Sequence, residues 1–248
     1  MEGSLPRKPC QFHSLAGRPA PNDAFLFDIV GFDLDGTLLD TSGDLAAAVN
    51  HALATVDRPP LTVEQVKPMI GGGARHMLKQ GLTATGGYDE PMLDTLHAKL
   101  LAYYEANICV LTKPYPGVID ALDALAAKGV TLGIVTNKVE RFARTVLGEL
   151  GLIDRFACIL GGDTMAESKP SPMPIHEMVK LCRESGGGGD RAAFVGDPIF
   201  DIQAGQAAGL PTIACSFGFL MQPVEELGAD AVVDGFDELI PTLERLGA

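Results

Sequence analysis

Four short polar segments stand out because each lies where an apolar, strand-like run gives way to loop or helix residues. They are Asp33-Leu34-Asp35-Gly36-Thr37, Val135-Thr136-Asn137, Lys169-Pro170 and Gly196-Asp197-Pro198-Ile199-Phe200-Asp201. Because the carboxyl ends of parallel strands meet at one edge of a sheet, a parallel sheet would gather these segments into one site. Their carboxylates, hydroxyl, amide and ammonium suit the binding of a phosphoryl group.

Asp33 and Asp35 follow the run Ile29 to Phe32, which has the unbroken apolar character of a strand buried on both faces. Side chains alternate along a strand, so the two carboxylates point to the same side. At an effective dielectric of about 20, two charges roughly 4 Å apart repel by on the order of 4 kcal/mol. The pair therefore predicts a bound cation, a shared proton, or both.

Asp197 and Asp201 repeat this logic after the strand-like run Ala192 to Val195. The segment predicts a tight turn, with Asp197 as the N-cap and Pro198 at the first position of a helix. Residues four apart share a helix face, and two carboxylates there suit a hard cation such as Mg²⁺. The alternative for this segment alone is a capped helix with no further role.

Thr136, Asn137 and Lys169 supply the donors that an anion needs. Thr136 and Asn137 end the strand-like run Val130 to Val135 and offer a hydroxyl, an amide and backbone N-H groups near a helix start. Lys169 begins a proline-rich loop that restricts its backbone, so it is a candidate phosphate ligand. The alternative for Lys169 is a solvated surface charge.

With the four segments in this order, the chain resembles the haloacid dehalogenase superfamily, whose phosphatases carry an opening DxDGT, a later Thr or Ser, a distant Lys and an acidic GD loop. The resemblance covers nearly everything from Ile29 to Ala248. The string from Asp33 to Asp40, followed by Thr41-Ser42-Gly43-Asp44-Leu45, is more similar to the phosphoglycolate phosphatase branch.

This resemblance implies that Asp33 is the nucleophile, which forms an aspartyl-phosphate. Asp35 is then the general acid toward the leaving group and afterwards the base toward water. To act as an acid, Asp35 must hold a proton near neutral pH, and neighbouring carboxylates favour that form. Thr136 would hydrogen-bond the phosphoryl oxygens, and Lys169 would stabilise their charge.

The resemblance also implies a Mg²⁺ site. Its ligands would be Asp33, Asp197 and the backbone carbonyl of Asp35, with Asp201 as a direct or outer partner. Pro198 departs from the family pattern, which usually has Ser or Thr there, so we expect an altered metal affinity. Three clustered aspartates would repel a phosphate dianion, and activity should therefore require a divalent cation.

The expected fold class is α/β, a doubly wound parallel sheet with an inserted all-helical cap. Residues 24–39 and 114–248 would form the catalytic core, in which strands and helices alternate. Residues 40–113 show helical periodicity without a convincing strand and would form the cap. Residues 1–23 would form a mobile leader.

The cap is expected to select the substrate. Its segment Ile70-Gly71-Gly72-Gly73-Ala74-Arg75 resembles the cap loop of phosphoglycolate phosphatases, where N-H groups of Gly72 and Gly73 at a helix start could meet a carboxylate. Arg75 could add a bidentate contact. The alternative is a flexible turn and a surface arginine. A small anionic phosphate monoester, with 2-phosphoglycolate first, is the expected substrate.

Composition sets outer limits. The chain has 248 residues, 46% of them hydrophobic, and a formal charge of −13, which argues against nonspecific binding of nucleic acid or anionic membranes. Its five cysteines are scattered, without CxxC spacing, and its five histidines lack HxH or HExxH spacing. No run approaches transmembrane length. We expect a cytoplasmic enzyme, a monomer or a homodimer.

Several alternatives stay open. A sugar-phosphate mutase or another small-metabolite phosphatase of the same superfamily would share the DxDG core and differ mainly in the cap. A catalytically silent Mg²⁺-binding protein would keep the fold without turnover. A nucleotide-binding dehydrogenase is disfavoured because GxGxxG is absent after the first strand and GxxxxGK[ST] is absent throughout. A dehalogenase should lack the second acid, Asp35.

Overall fold

The computed structural model describes residues 26–186 and 189–247. The leader expected at residues 1–23 lies outside the described residues. Along the chain the elements are β1 (Ile29–Phe32), β2 (Leu39–Asp40), α1 (Ser42–Ala54), α2 (Val63–Val66), α3 (Ala74–Ala84), α4 (Glu90–Ala106), β3 (Lys113–Pro114), α5 (Val118–Ala127), β4 (Thr131–Val135), α6 (Glu140–Glu149), β5 (Cys158–Leu160), α7 (Met173–Glu184), β6 (Ala192–Gly196), α8 (Ile199–Ala207), β7 (Thr212–Cys215), β8 (Ala231–Val233) and α9 (Leu239–Gly247).

The main sheet has six parallel strands in the order β5-β4-β1-β6-β7-β8. The chain starts in the middle of this sheet at β1, runs outward through β4 and β5, and returns to the other side of β1 for β6, β7 and β8. Strand order therefore reverses around β1, which is where ligands bind in open α/β sheets. The expected doubly wound parallel sheet is confirmed.

Burial on both faces explains the unbroken apolar strands. In β1, Ile29 belongs to the buried cluster that includes Ile175 of α7, whereas Val30 and Phe32 belong to the cluster on the opposite face. Gly31 lets α7 approach closely, because a Cβ there would lie 2.5 Å from the terminal methyl of Met178. Helices on both faces leave the strands no polar side, as expected for a parallel sheet.

The helical cap is inserted between the short strands β2 and β3, which pair antiparallel and place Leu39 opposite Pro114. Between them, where every residue is described, the regular elements are helices only, and α1 packs against α3 and α4. Asp44 of α1 closes the base of the cap, since its carboxylate accepts hydrogen bonds from the backbone N-H groups of residues 110–112 and from the Thr112 hydroxyl. None of the described helices combines the length and apolar character needed to cross a membrane.

Candidate active site

The site residues predicted from the core motifs meet at the carboxyl edge of the sheet, around β1. Asp33 follows β1, Thr136 follows β4, Asp197 follows β6, and the first turn of α8 carries Asp201. All four side chains are buried. Three strands that are neighbours in the sheet thus bring together residues up to 168 positions apart in the chain.

Asp33, Asp197 and Asp201 form one buried carboxylate cluster, in which one oxygen from each lies within 4.8 Å of the others. Lys169 lies inside it, with Nζ 2.8 Å from Asp33 Oδ1 and 2.6 Å from Asp201 Oδ1. The same ammonium donates to the backbone carbonyl of Val135 at 2.7 Å. Three carboxylates and one ammonium leave two negative charges in the cluster. One divalent cation would neutralise them.

Asp197 is fixed by donors on both of its oxygens. The Thr37 hydroxyl donates to Oδ1 and the backbone N-H of Phe219 donates to Oδ2, each at 2.7 Å. Gly36 (φ 93°) and Gly218 make room for this carboxylate, since a Cβ at either position would overlap its atoms. Thr37, Gly36 and Gly218 thus serve the site by positioning Asp197, and a sequence reading that looks only for ligands misses Phe219 and Gly218.

Burial disfavours the charged carboxylates of this cluster. The pKa of Asp197 is raised by burial and by its neighbours Asp201 and Asp33, against hydrogen bonds from Thr37 and Phe219. Burial and the charge of Asp33 raise the pKa of Asp201 to about 7, although Lys169 opposes the shift. Mg²⁺ binds carboxylate oxygens, and its positive charge would offset the cost of burying several carboxylates together. The residues therefore fit a hard divalent cation.

The helix start at this site differs from the sequence prediction. Pro198 is the N-cap, with extended backbone (φ −79°, ψ 164°), and α8 begins at Ile199. Asp197 therefore lies outside the helix, and its backbone N-H donates to Asp201 Oδ2 at 3.1 Å. The capping oxygen comes from inside the first turn, which leaves the Asp197 carboxylate free to point into the cluster.

Asp35 has a different environment from the one expected. Its carboxylate is not a member of the three-aspartate cluster but accepts hydrogen bonds from Lys138 Nζ at 2.9 Å on each oxygen. Burial works against the Lys138 ammonium, but attraction to Asp35 outweighs it and raises the pKa of Lys138. An ammonium, and not neighbouring carboxylates, is the nearest charge to Asp35. Lys138 directly follows Thr136-Asn137 in the sequence, but nothing in that pattern assigned it a role.

Asp33 and Asp35 both line a cleft between core and cap. The cap side is apolar and includes Leu45, Met77 and Leu100, while the core contributes Thr136, Asn137 and Lys138 among others. The cleft encloses about 40 Å³. Since one buried water needs about 10–15 Å³, this space corresponds to a few water molecules beside the two carboxylates.

Asn137 connects the core to the cap. Its Nδ2 donates to the carbonyl of Gly71 in the cap loop at 2.9 Å and to the carbonyl of Lys169 at 3.1 Å. Pro198 packs on the same loop, because a Cβ on Gly71 would lie 3.0 Å from Pro198 Cγ. The structure therefore uses the amide donors of Asn137 to hold the cap loop over the cleft. Pro198, the departure from the family pattern, belongs to this contact.

The other cap residues predicted to meet substrate are distributed differently. Gly73 (φ 87°) is the N-cap of α3 and lines the cleft. Gly72 is not among the lining residues, and a Cβ there would contact His76. Arg75 is largely exposed and forms ion pairs with Glu90 and Asp94 of α4. The structure thus brings Gly73 to the cleft and turns Arg75 toward a neighbouring cap helix.

A family model described as haloacid dehalogenase-like hydrolase matches residues 30–215. This range contains all four motif segments, and it spans β1 to β7 together with the inserted cap. The chain belongs to the haloacid dehalogenase-like hydrolase family.

Individual relatives have narrower descriptions. The chain is 39% identical over 213 residues to the phosphoglycolate phosphatase of Agrobacterium fabrum, an alignment that covers 86% of this chain and 90% of the relative. It is 35% identical to the N-acetylmuramic acid 6-phosphate phosphatase of Pseudomonas aeruginosa, covering 86% and 93%. A crystal structure of a predicted phosphoglycolate phosphatase from Haemophilus somnus 129PT matches with a TM-score of 0.80 at 30% identity, covering 88% and 98%.

Proposed function

We propose that the protein is a Mg²⁺-dependent phosphatase that hydrolyses a small phosphate monoester, 2-phosphoglycolate first, through an aspartyl-phosphate on Asp33. The observation that carries this proposal is the buried cluster of Asp33, Asp197 and Asp201. The three carboxylates of this cluster outnumber the single ammonium of Lys169. The cluster adjoins a cleft that both Asp33 and Asp35 line.

The metal would be held by Asp33, Asp197 and the backbone carbonyl of Asp35, with Asp201 as a further or outer partner. When bound, Mg²⁺ supplies positive charge that offsets the carboxylates and the phosphoryl oxygens. Lys169 holds Asp33 and Asp201 in place by its two short contacts of 2.8 and 2.6 Å. This ammonium also supplies positive charge beside the phosphoryl group.

The reaction takes place in two steps on this chain's residues. Asp33 attacks phosphorus, a P–O bond to Asp33 forms, the bond to the leaving oxygen breaks, and Asp35 gives that oxygen a proton. Asp35 then accepts a proton from water, which attacks phosphorus and releases phosphate and Asp33. The Thr136 hydroxyl, at the end of β4 and on the cleft wall, donates to a phosphoryl oxygen.

Two features support a small substrate with a second anionic group. The phosphoglycolate phosphatase of Agrobacterium fabrum is 39% identical, and the cleft places the Lys138 ammonium beside Asp35, where a second anionic group could meet it. The N-acetylmuramic acid 6-phosphate phosphatase relative favours the larger class instead. A formal charge of −13 supports the absence of nucleic-acid partners, and the thiols of Cys182 and Cys215, which form no disulfide, support a reducing compartment such as the cytoplasm.

The experiment is phosphate release from a panel that contains 2-phosphoglycolate, a hexose 6-phosphate, N-acetylmuramic acid 6-phosphate and p-nitrophenyl phosphate, each with Mg²⁺ and with a chelator. We expect metal-dependent release, with the highest kcat/KM for 2-phosphoglycolate. A higher value for a sugar phosphate would reject the substrate and keep the chemistry. Conversion of a sugar phosphate to its isomer would identify a mutase, and metal binding without release from any compound would favour the silent binding protein.

A further inference from the structure

The ammonium of Lys138 occupies an unusual position for a resting enzyme. It lies in the cleft, buried, and both oxygens of Asp35 accept hydrogen bonds from it at 2.9 Å. Asp35 is the carboxyl that the proposed reaction needs at the leaving oxygen. While Lys138 holds it bidentately, Asp35 is engaged with a cation that has no assigned part in that reaction.

Tyr104 of α4 covers the same ammonium from the cap. Lys138 Nζ lies 4.6 Å from the centre of the Tyr104 ring, and the tyrosine also lines the cleft. Among the described residues the buried Tyr104 O-H has no acceptor, although the Lys138 ammonium lies close enough to act on the hydroxyl oxygen. Burial raises the pKa of Tyr104 to about 12, so the group remains an O-H donor at neutral pH. An unmatched buried donor is costly, which indicates that a ligand atom accepts this hydrogen bond.

The remaining walls of the cleft make these two donors distinctive. Beyond the catalytic edge the lining is apolar, and of the described residues that line the cleft, Lys138 alone is a cation. Arg75, the residue first expected to read a carboxylate, pairs with Glu90 and Asp94 outside it. If the phosphoryl group of a substrate lies at the catalytic edge, an anionic group elsewhere in the same substrate extends into the cleft and meets Lys138 and Tyr104.

We propose that Lys138 and Tyr104 determine substrate specificity by binding the carboxylate of a small phosphorylated hydroxy acid, and that this carboxylate replaces Asp35 as the partner of Lys138. Asp35 is thereby released to reach the leaving oxygen. The substrate's second anion thus completes the catalytic arrangement. The inference rests on the proposed phosphatase function and adds the residues that select its substrate.

The exchange keeps the Lys138 ammonium paired, first with Asp35 and then with the substrate's carboxylate. Asp35, which loses its cation, takes up a proton from the solvent as the substrate binds, and this is the proton that it gives to the leaving oxygen. A neutral substituent offers no such partner, so Lys138 stays on Asp35 and the acid is withheld. Discrimination should therefore appear in kcat as well as in KM, because both binding and the acid step depend on the exchange.

The test compares two substrates that differ at this one group, 2-phosphoglycolate and 2-hydroxyethyl phosphate, in the wild-type protein and in Lys138→Met and Tyr104→Phe. Matched controls are Lys79→Met and Tyr103→Phe. Lys79 lies 5.8 Å from the centre of the Tyr88 ring on the cap surface, and Tyr103 stacks on His51, so both reproduce the residue types away from the cleft.

We expect wild-type kcat/KM to favour 2-phosphoglycolate by at least about tenfold, the smallest effect of losing a charge-assisted hydrogen bond. Lys138→Met should bring this ratio close to one, and Tyr104→Phe should lower it severalfold, while the two controls keep the wild-type ratio. Glycolate should lose affinity as an inhibitor of Lys138→Met, whereas inorganic phosphate should keep its affinity.

Other results separate the two levels of the proposal. Equal losses for both substrates in Lys138→Met, with glycolate affinity unchanged, would mean that Lys138 merely positions Asp35 and would overturn the inference. If Lys138→Met does not fold, an unchanged ratio in Tyr104→Phe has the same consequence. Absence of Mg²⁺-dependent release from either substrate by the wild-type protein would reject the phosphatase function itself, and the inference with it.

Discussion

Lys169 should be the residue on which the metal-free site depends most. Its ammonium is almost completely buried and contacts Asp33 and Asp201 at 2.8 and 2.6 Å. At an effective dielectric of about 20, each such contact is an attraction of roughly 6 kcal/mol, but burial of the ammonium offsets much of it. Removing one partner of a buried pair typically costs about 3–5 kcal/mol, because the other charge is left uncompensated. We expect Lys169→Met to lower the free energy of unfolding by that amount at pH 8 in a chelator.

The assay is urea unfolding of wild type and Lys169→Met at pH 8 and pH 5.5, in the presence of a chelator. The difference in the free energy of unfolding between wild type and Lys169→Met should be smaller at the lower pH, because the buried carboxyls can then take up protons. Saturating Mg²⁺ should also reduce this difference. Lys180→Met is the control, because Lys180 pairs with Glu177 on an exposed helix surface and its loss should have little effect. Equal, small changes for the two variants would refute the reasoning.

Three further predictions concern the cluster and the cap. The pKa of Asp201 is raised to about 7 from an ordinary 3.8, so the folded state holds this proton more tightly than the unfolded state does. The stability of the metal-free protein should therefore fall as the pH rises from about 4 through 7. The rise in Tm that Mg²⁺ causes should be larger at pH 8 than at pH 5.5, and the reverse order would contradict the assignment. Asn137→Ala removes the hydrogen bonds to the carbonyls of Gly71 and Lys169, which should loosen the cap loop and raise KM several-fold. An unchanged KM in steady-state kinetics would count against this role of Asn137. Arg75→Ala should alter KM for 2-phosphoglycolate and for p-nitrophenyl phosphate equally, whereas a selective rise for the former would restore Arg75 as a carboxylate ligand.

Much of the fold could be predicted because its signals are local. The apolar run at Ile29 to Phe32 is β1, and the runs that begin near Thr131 and Ala192 are β4 and β6. Strands buried on both faces in a parallel sheet need unbroken apolar sequence, and that is visible without a structure. The predicted start of α8 was wrong by one residue: Pro198, and not Asp197, is the N-cap. A proline fits both the N-cap and the first helical position, so the sequence did not distinguish the two.

The site could be predicted only at the level of which segments meet. Topology brings Asp33, Asp197 and Asp201 to one edge, so their clustering followed from strand order. Side-chain partners did not follow, because they depend on packing between distant segments. Lys138 reaches Asp35 across 103 positions, and its contact with Tyr104 requires the cap to lie over the core. No spacing rule in the sequence encodes either contact.

The most direct test of the central claim is the initial rate of phosphate release from 2-phosphoglycolate by the wild-type protein and by Asp33→Asn, each with Mg²⁺ and with a chelator. The amide keeps the shape of the side chain but removes the nucleophile, and circular dichroism would establish that the variant is folded. We predict release by the wild-type protein with Mg²⁺ and by none of the other three combinations. Steady turnover by folded Asp33→Asn, or by wild type in the chelator, would contradict the covalent, metal-dependent account.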